Sequence, residues 1–263
     1  MPEFSKSHFV LIPSYNTGEI LLRTIRDAMK HWMPVWVVVD GSTDGTVERL
    51  QEFQKDVPEL RVIVNERNLG KGAAVLHGLK EALVDGFTHA LVMDADGQHP
   101  ADDIQKIMRE SIAHPDTMVL GLPIFDETAP KERLAGRKVA NFFVDLVTWN
   151  GGIGDSLFGF KLYPAKEVVE IMESGLFARR YDFDAEVAVK LVWRGVRPIN
   201  VPCPCRYLTG EEGGVSHFNY LRDNVLLTFM FARLLIGMIL RSPLLLWKLA
   251  TGRLGAIPYK PVE

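Results

Sequence analysis

Val37-Val38-Val39-Asp40-Gly41-Ser42-Thr43-Asp44-Gly45-Thr46 runs from a β-branched apolar stretch through a tight acidic turn into a segment where Val47, Leu50 and Phe53 recur at helical spacing. An apolar run with no polar alternation belongs to a strand covered on both faces. A strand that feeds a crossover helix is the first half of a parallel βαβ unit. The unit repeats on either side of this stretch. Strands are expected at Phe9–Ile12, Val35–Val39, Leu60–Val64, Ala90–Met93 and Met118–Leu120. Between them, helical periods are carried by Ile20, Leu21, Ile25, Ala28 and Met29, by Ala74, Val75, Leu79 and Leu83, and by Ile104, Ile107 and Met108. The pattern predicts an α/β fold, a mostly parallel sheet flanked by helices, with four right-handed crossovers.

Beyond Pro123 the pattern predicts a helix over about Glu132–Trp149, a strand around Phe158–Tyr163, helices near Ala165–Glu173 and Phe183–Trp193, and a strand at Arg197–Val201. Four polar loops follow the early strands: Pro13-Ser14-Tyr15-Asn16, Asp40 to Gly45, Asn68-Leu69-Gly70-Lys71-Gly72, and Asp94-Ala95-Asp96-Gly97-Gln98. In an open α/β sheet, ligands bind at the carboxyl ends of the strands, so these loops are expected to line one crevice.

Two carboxylates one residue apart, Asp94 and Asp96, leave a buried strand. A hard cation such as Mg²⁺ needs only one or two carboxylates when diphosphate oxygens and water complete its shell, and Gln98 offers a further oxygen. Such a cation neutralises charge on a departing diphosphate. The competing interpretation is a solvated acidic turn capping the helix that begins near Pro100. Asp40 is placed to accept a hydrogen bond from a base or ribose, or serves turn chemistry, with Asp44 or Thr46 as a helix cap.

The chain has 263 residues, 47% hydrophobic and 24% charged, with a formal net charge of -3. These values suit a packed domain and argue against nucleic acid as a partner. Its two cysteines, Cys203 and Cys205, are too close for an ordinary disulfide and lack the second pair a structural zinc site needs. They read as reduced strand residues. The first residues show no secretory leader pattern, so a cytoplasmic location is expected.

Taken together, Ile12-Pro13-Ser14-Tyr15-Asn16, Val39 to Thr46, Asn68 to Ala74 and Asp94-Ala95-Asp96-Gly97-Gln98-His99-Pro100 resemble, in order and spacing, the family 2 glycosyltransferases, whose members include dolichyl- and polyprenyl-phosphate sugar synthases. The resemblance covers His8 to about Val201. It implies a GT-A, Rossmann-like nucleotide-diphospho-sugar transferase fold and an inverting transfer. Pro13, Tyr15, Asn16, Asp40, Ser42 and Lys71 would then lie on the donor side, and Asp94, Ala95, Asp96 and Gln98 near a Mg²⁺ or Mn²⁺ ion and the diphosphate. The chain departs from the family at Val39, where an Asp is frequent, and at Asn16, where an acid is frequent. UDP- and GDP-sugars both stay open as donors.

On the acceptor side, Gly154 to Lys161 resembles the family's Asp-x-x-Ser-Gly-Phe-Arg segment, with Phe158 replacing the usual hydroxyl residue before Gly159. Lys161 would meet phosphate, or belongs to a bulged strand. Asp184 aligns with the family's base position, with Glu186 in reserve; it is equally suited to be a helix-terminal carboxylate. Arg133 and Arg137 fall where the polyprenyl-phosphate members place basic acceptor contacts. His217 stands in place of the Lys of a late Gly-x-Ser-Lys segment, and Arg206 is a further diphosphate candidate.

From Tyr220 to Leu254 the chain is apolar with basic punctuation. Arg233 and Pro243 break it into pieces shorter than the roughly 20 residues that span a bilayer, which predicts amphipathic helices lying at the headgroups, or packed on the domain or in a dimer. The expected organisation is a catalytic domain over 1–217 and a membrane-associated helical extension over 218–263. The expected activity is metal-dependent transfer of a sugar to a lipid or lipid-linked acceptor, peripherally on the cytoplasmic face of the membrane. A catalytically silent nucleotide-sugar binder and a nucleotidyltransferase are the rivals.

Overall fold

The computed structural model describes residues 2–127, 129–205 and 220–262. The elements in chain order are β1 (Glu3–Phe4), β2 (His8–Ser14), α1 (Gly18–Met29), β3 (Trp32–Met33), β4 (Val35–Asp40), α2 (Thr46–Lys55), β5 (Leu60–Asn65), α3 (Lys71–Val84), β6 (His89–Met93), α4 (Ile104–Ala113), β7 (Thr117–Phe125), α5 (Lys131–Thr148), β8 (Phe160–Pro164), α6 (Ala165–Glu173), α7 (Phe183–Arg194), β9 (Arg197–Cys205) and α8 (Tyr220–Ala250). All five expected early strands are present, each extended by one to several residues.

The main sheet has the order β5-β4-β2-β6-β8-β7-β9. Every pairing is parallel except those of β8, which runs antiparallel between β6 and β7. The strand sequence reverses direction across the sheet at β2 and β6, and a switch point of this kind opens a crevice at the strand carboxyl ends. Side chains alternate between two cores. Phe9, Leu11, Val38 and Val92 pack against α3, α5, α6, α7 and α8 on one face, and Val10, Ile12, Val37 and Leu91 against α1, α2 and α4 on the other. β9 runs on to Cys205, past the expected end at Val201. It is an edge strand, and Pro198, Pro202 and Pro204 share one parity, so their missing N–H groups all face the open edge. Ile257 donates its amide to Pro198 O on that same edge.

The tail differs from expectation. Pro243 does not end a helix but sits inside α8, one continuous helix. Proline removes one helical hydrogen bond, at a cost of about 3 kcal/mol; tertiary packing carries the helix through it. Leu245 is fully buried just beyond, and Lys248 Nζ donates to Trp193 O at 2.6 Å. The stretch Arg222–Ala250 is therefore long and apolar enough to cross a membrane, contrary to the reading that it is too short. It is also docked lengthwise: Met230, Phe231 and Leu234 enter the core near its middle, and Arg233 pairs with Glu186 of α7. The boundary expected after residue 217 lies outside the described residues.

At the opposite end of the sheet from the crevice, His8 and His89 stack at 4.5 Å and 6°. His8 donates to or accepts from Ser111 Oγ at 3.1 Å, and burial, reinforced by the neighbouring His89, lowers its pKa from 6.5 to about 4. A histidine held neutral in the fold contributes stability that is present above pH 6.5 and lost as pH falls toward 4, on the order of 3 kcal/mol for this shift. Urea denaturation across that window should show His8→Gln flattening the slope relative to the parent. Identical slopes would remove His8 from the account.

Candidate active site

The four loops meet in one cavity of about 1120 Å³. Its floor is made by strand ends: Pro13 near the end of β2 and Tyr15 just after it, Asp40 at the end of β4, and Asp94, Ala95, Asp96 and Gln98 after β6. Lys71 enters from the first turn of α3 and Asp184 from the first turn of α7; Arg133 and Arg137 come from α5, and Gly159 from the start of β8. Twelve of the residues singled out from sequence thus share this space.

Lys71 is the hub. Its Nζ lies 2.6 Å from Asp94 Oδ1 and 2.6 Å from Asp184 Oδ2. Burial works against the charged ammonium, but the two carboxylates outweigh it and hold Lys71 above its ordinary range. Burial would raise Asp94, yet Lys71, then His99, keep it well below the usual carboxylate range. Asp96 moves the other way: burial raises it and the Asp94 charge adds to that, against the opposing pull of His99. Strongly perturbed carboxylates beside a cavity are a mark of a functional site. The resemblance implies only that Lys71 lies on the donor side; the geometry sets it between Asp94 and Asp184.

Asp40 has its oxygens engaged within the chain. Oδ1 accepts from Asn65 Nδ2 at 2.8 Å, and Oδ2 from the amides of Leu69 at 3.0 Å and Gly70 at 2.7 Å. It therefore shapes the loop that aims Lys71. Gly70 has φ +102°, and a Cβ there would collide with Arg179 O and Arg180, so only glycine lets α3 start beneath that segment. Asn16 and Ser42 do not line the cavity. The Asn16 amide donates to Ser42 Oγ at 2.9 Å and Asn16 Oδ1 accepts from the Thr43 amide at 2.8 Å, which joins the first two loops. Asp44 caps its own turn through Thr46.

Lys161 is not a cavity residue. Fully buried, it donates to Ser156 O at 2.6 Å and Asp184 O at 3.0 Å, and burial lowers it to about 8. A strand residue of β8 points its side chain under the sheet end, and what it braces is the backbone of Asp184. Arg137 Nη1 lies 2.6 Å from Asp155, whose Oδ1 also accepts the Leu157 amide. Glu186, the reserve base, is fully buried and bound by Arg233 at 3.1 and 2.8 Å and by Lys190 at 2.7 Å, so it serves packing of α7 on α8. Arg206 and His217 lie outside the described residues.

Sequence reasoning gave no role to His99, Arg180, Tyr181 or Asp223, all of which line the cavity. His99 is wedged between Phe158 and Phe160, with Nε2 3.4 Å from Asp94 Oδ2, an ion-pair distance, and neither ring nitrogen hydrogen-bonded to another of the described residues. Asp223 is buried, and as the single acid between Tyr220 and Leu254 it was the signal in an otherwise apolar and basic stretch.

The residues fit a hard divalent cation. Asp94 and Asp96 offer oxygen donors to the cavity, and Asp184 Oδ1 is buried there with no hydrogen-bond partner among the described residues. Among the described residues no three His, Cys, Asp or Glu side chains gather to hold a metal by themselves. Asp94 and Asp96 would hold such an ion with diphosphate and water completing its shell.

Residues 9–168 match the glycosyl transferase family 2 model. The chain is 27% identical over 197 residues to UDP-N-acetylglucosamine–dolichyl-phosphate N-acetylglucosaminyltransferase of Methanococcus voltae, covering 69% of this chain and 78% of the relative. It is 28% identical over 214 residues to polyprenol monophosphomannose synthase of Mycolicibacterium smegmatis, covering 79% of each. The fold is similar to that of glucosyl-3-phosphoglycerate synthase from Mycobacterium tuberculosis, solved with Mn²⁺ and UDP-glucose, with a TM-score of 0.58, 14% identity, and coverage of 89% of this chain and 79% of that one.

Proposed function

Since the chain belongs to glycosyl transferase family 2, we propose that it is an inverting, metal-dependent glycosyltransferase that moves a sugar from a UDP- or GDP-sugar to a polyprenyl-phosphate or similar lipid-linked acceptor at the cytoplasmic membrane surface. The observation that carries this reading is the placement of Asp94, Asp96, Lys71 and Asp184 on one floor, beneath walls of two kinds. Arg133 and Arg137 supply one, and Val139, Phe143, Leu227, Phe231 and Leu235 supply an apolar one. A nucleotide diphosphate suits the floor; a phosphate joined to a hydrocarbon chain suits the walls. The names of the relatives from M. voltae and M. smegmatis support a lipid phosphate as acceptor.

Pro13 and Tyr15 flank the nucleoside end, and the Asp40-shaped loop presents Lys71 to the centre. Asp94 and Asp96, with Gln98, would hold a divalent cation, which when bound would supply charge neutralisation for the departing nucleoside diphosphate. Arg137, fixed by Asp155, and Arg133 hold the acceptor phosphate so that its oxygen meets the anomeric carbon opposite the leaving group. A phosphate nucleophile arrives ionised and needs no base. Asp184, with Oδ2 bound by Lys71, then acts as an oriented anion beside the sugar. A hydroxyl acceptor is the second reading, favoured by the unpartnered Asp184 Oδ1, which would take its proton.

A transfer screen with each donor and vesicles carrying either polyprenyl phosphate or the free polyprenol separates these readings. Sugar on the phosphate lipid supports the proposal; sugar on the alcohol supports the second reading; release of pyrophosphate in a parallel arm given a nucleoside triphosphate and a sugar 1-phosphate would make the chain a nucleotidyltransferase. Arg137→Ala should raise KM for the phosphate lipid by roughly tenfold or more, as expected for loss of a charge-assisted contact of about 1.5–3 kcal/mol, with donor KM little changed. An unaltered acceptor KM would take Arg137 out of the acceptor subsite.

A further inference from the structure

We infer that the outer faces of α5 and α8, together with the Gly175–Phe177 turn, form a surface that docks on a lipid bilayer and seats the mouth of the cavity against it. The choice of a bilayer as occupant rests on the lipid-acceptor reading above; the surface itself is read from the side chains.

On α8 the exposed residues Val225, Phe229, Ala232, Ile236, Ile239 and Leu240 follow helical spacing along one face. Among the described residues of this helix, Arg241 is the one exposed charge between Val225 and Ala250, and its guanidinium lies over Trp193 while donating to Gly237 O. Lys248 is turned inward to Trp193 O and Arg233 to Glu186. The helix thus hides its cations and displays its leucines and isoleucines, the reverse of a helix made for water. α5 continues the surface with Val139, Phe142 and Leu146, exposed by 59%, 64% and 42%.

The turn before α7 adds a third piece. Leu176 is 87% exposed and Phe177 39%, at a tip held from beneath by Arg179, whose Nη2 donates to Met172 O at 2.9 Å. Phe177 meets Phe229 of α8 edge to face at 5.9 Å, and the Arg233 guanidinium stacks on it at 3.5 Å. The tip is therefore fastened to the outer face of α8, with Leu176 unoccupied by any packing need.

Three facts favour a bilayer over other occupants. Val139, Thr228 and Ala232 are exposed and also line the cavity, so the mouth opens within this apolar surface, where a lipid-linked substrate would enter. Cations stand at its margins, with Arg222 and Lys138 exposed at the cavity end and Arg253 over Trp247 at the far end, as suits anionic headgroups. At about 46 Å for 31 residues α8 exceeds the ~30 Å hydrocarbon core. It is tied to one domain along its length, with Asp223 buried in its first turn, Arg233 bound to Glu186 near its middle and Lys248 to Trp193 O near its finish, so it lies along the surface and does not cross.

The test is flotation of the full chain with phosphatidylcholine–phosphatidylglycerol vesicles, with no donor or acceptor present, for the parent, Leu176→Glu, Ile236→Glu and Val84→Glu. Val84 is 86% exposed on α3, outside this surface, and serves as the control. The expected result is binding by the parent, a loss of roughly tenfold or more in partitioning for each of the first two variants, and none for Val84→Glu, all with parental melting temperatures. Parent that does not float, or Leu176→Glu and Ile236→Glu that float like it, would overturn the inference; so would light scattering that finds a dimer dissolved by Ile236→Glu, since a second copy would then cover the face. A chain that floats as expected yet transfers no sugar keeps this surface and rejects the reaction instead.

Discussion

Asp96→Asn should lower sugar transfer by on the order of 10³, the scale on which removing one preorganised electrostatic contributor acts, while leaving the protein folded. The substitution is isosteric, and the Gln98 amide that donates to Asp96 Oδ1 at 3.0 Å can still find the Asn oxygen. What is lost is a charge at the end of β6 facing the cavity. The loss should appear in kcat at saturating donor, and Mn²⁺ binding followed by calorimetry in the presence of nucleoside diphosphate should weaken with it. Retained activity with weakened metal binding would separate the cation from the chemistry; retention of both would mean that Asp96 merely ends a turn.

Gly159→Ala should be nearly as damaging for a different reason. A Cβ at this position would overlap the Asp94 carboxylate, which has Lys71 on one oxygen and His99 near the other. The side chain that yields is Asp94, because Gly159 is fixed in a β8 start whose neighbours Phe158 and Phe160 are buried. Moving a catalytic carboxylate by about 1 Å costs on the order of 10² in rate. Circular dichroism and melting temperature should stay close to the parent while kcat falls. A variant with full activity would show that Asp94 does not need the position that Lys71 and Gly159 give it.

Both substitutions touch a centre whose outline was legible and whose wiring was not. Apolar runs ending in Asp40 and Asp94 identified strands and the end of the sheet on which they cluster, because a buried parallel strand has no polar alternation and its terminus is where polarity returns. The place of β8 was hidden: a short apolar run carries no mark of direction, and only its pairing with β6 and β7 makes it antiparallel. Lys161 and Lys71 look alike in sequence, each a lysine close to a glycine. One reaches two carboxylates from a helix start, and the other, on a strand, is driven beneath the sheet to brace Asp184. Asn16 and Ser42 stand in the matched strings yet bind each other's loops, which no spacing could reveal. Pro243 was read as a stop because local chemistry favours one; the contacts of Leu245 and Lys248 with the domain decide otherwise.

The measurement to make on the parent protein is the amount of sugar recovered in lipid against the amount of nucleoside diphosphate released, with labelled UDP- and GDP-sugars, polyprenyl-phosphate vesicles, and Mn²⁺ or Mg²⁺ present or chelated. Equal amounts of the two products should form from one donor, both requiring the metal and the phosphate lipid, as expected of a glycosyltransferase with a lipid phosphate acceptor. Nucleotide sugar that binds while neither product forms, under any donor and either metal, would contradict that assignment and leave a protein that holds its ligand without transferring it.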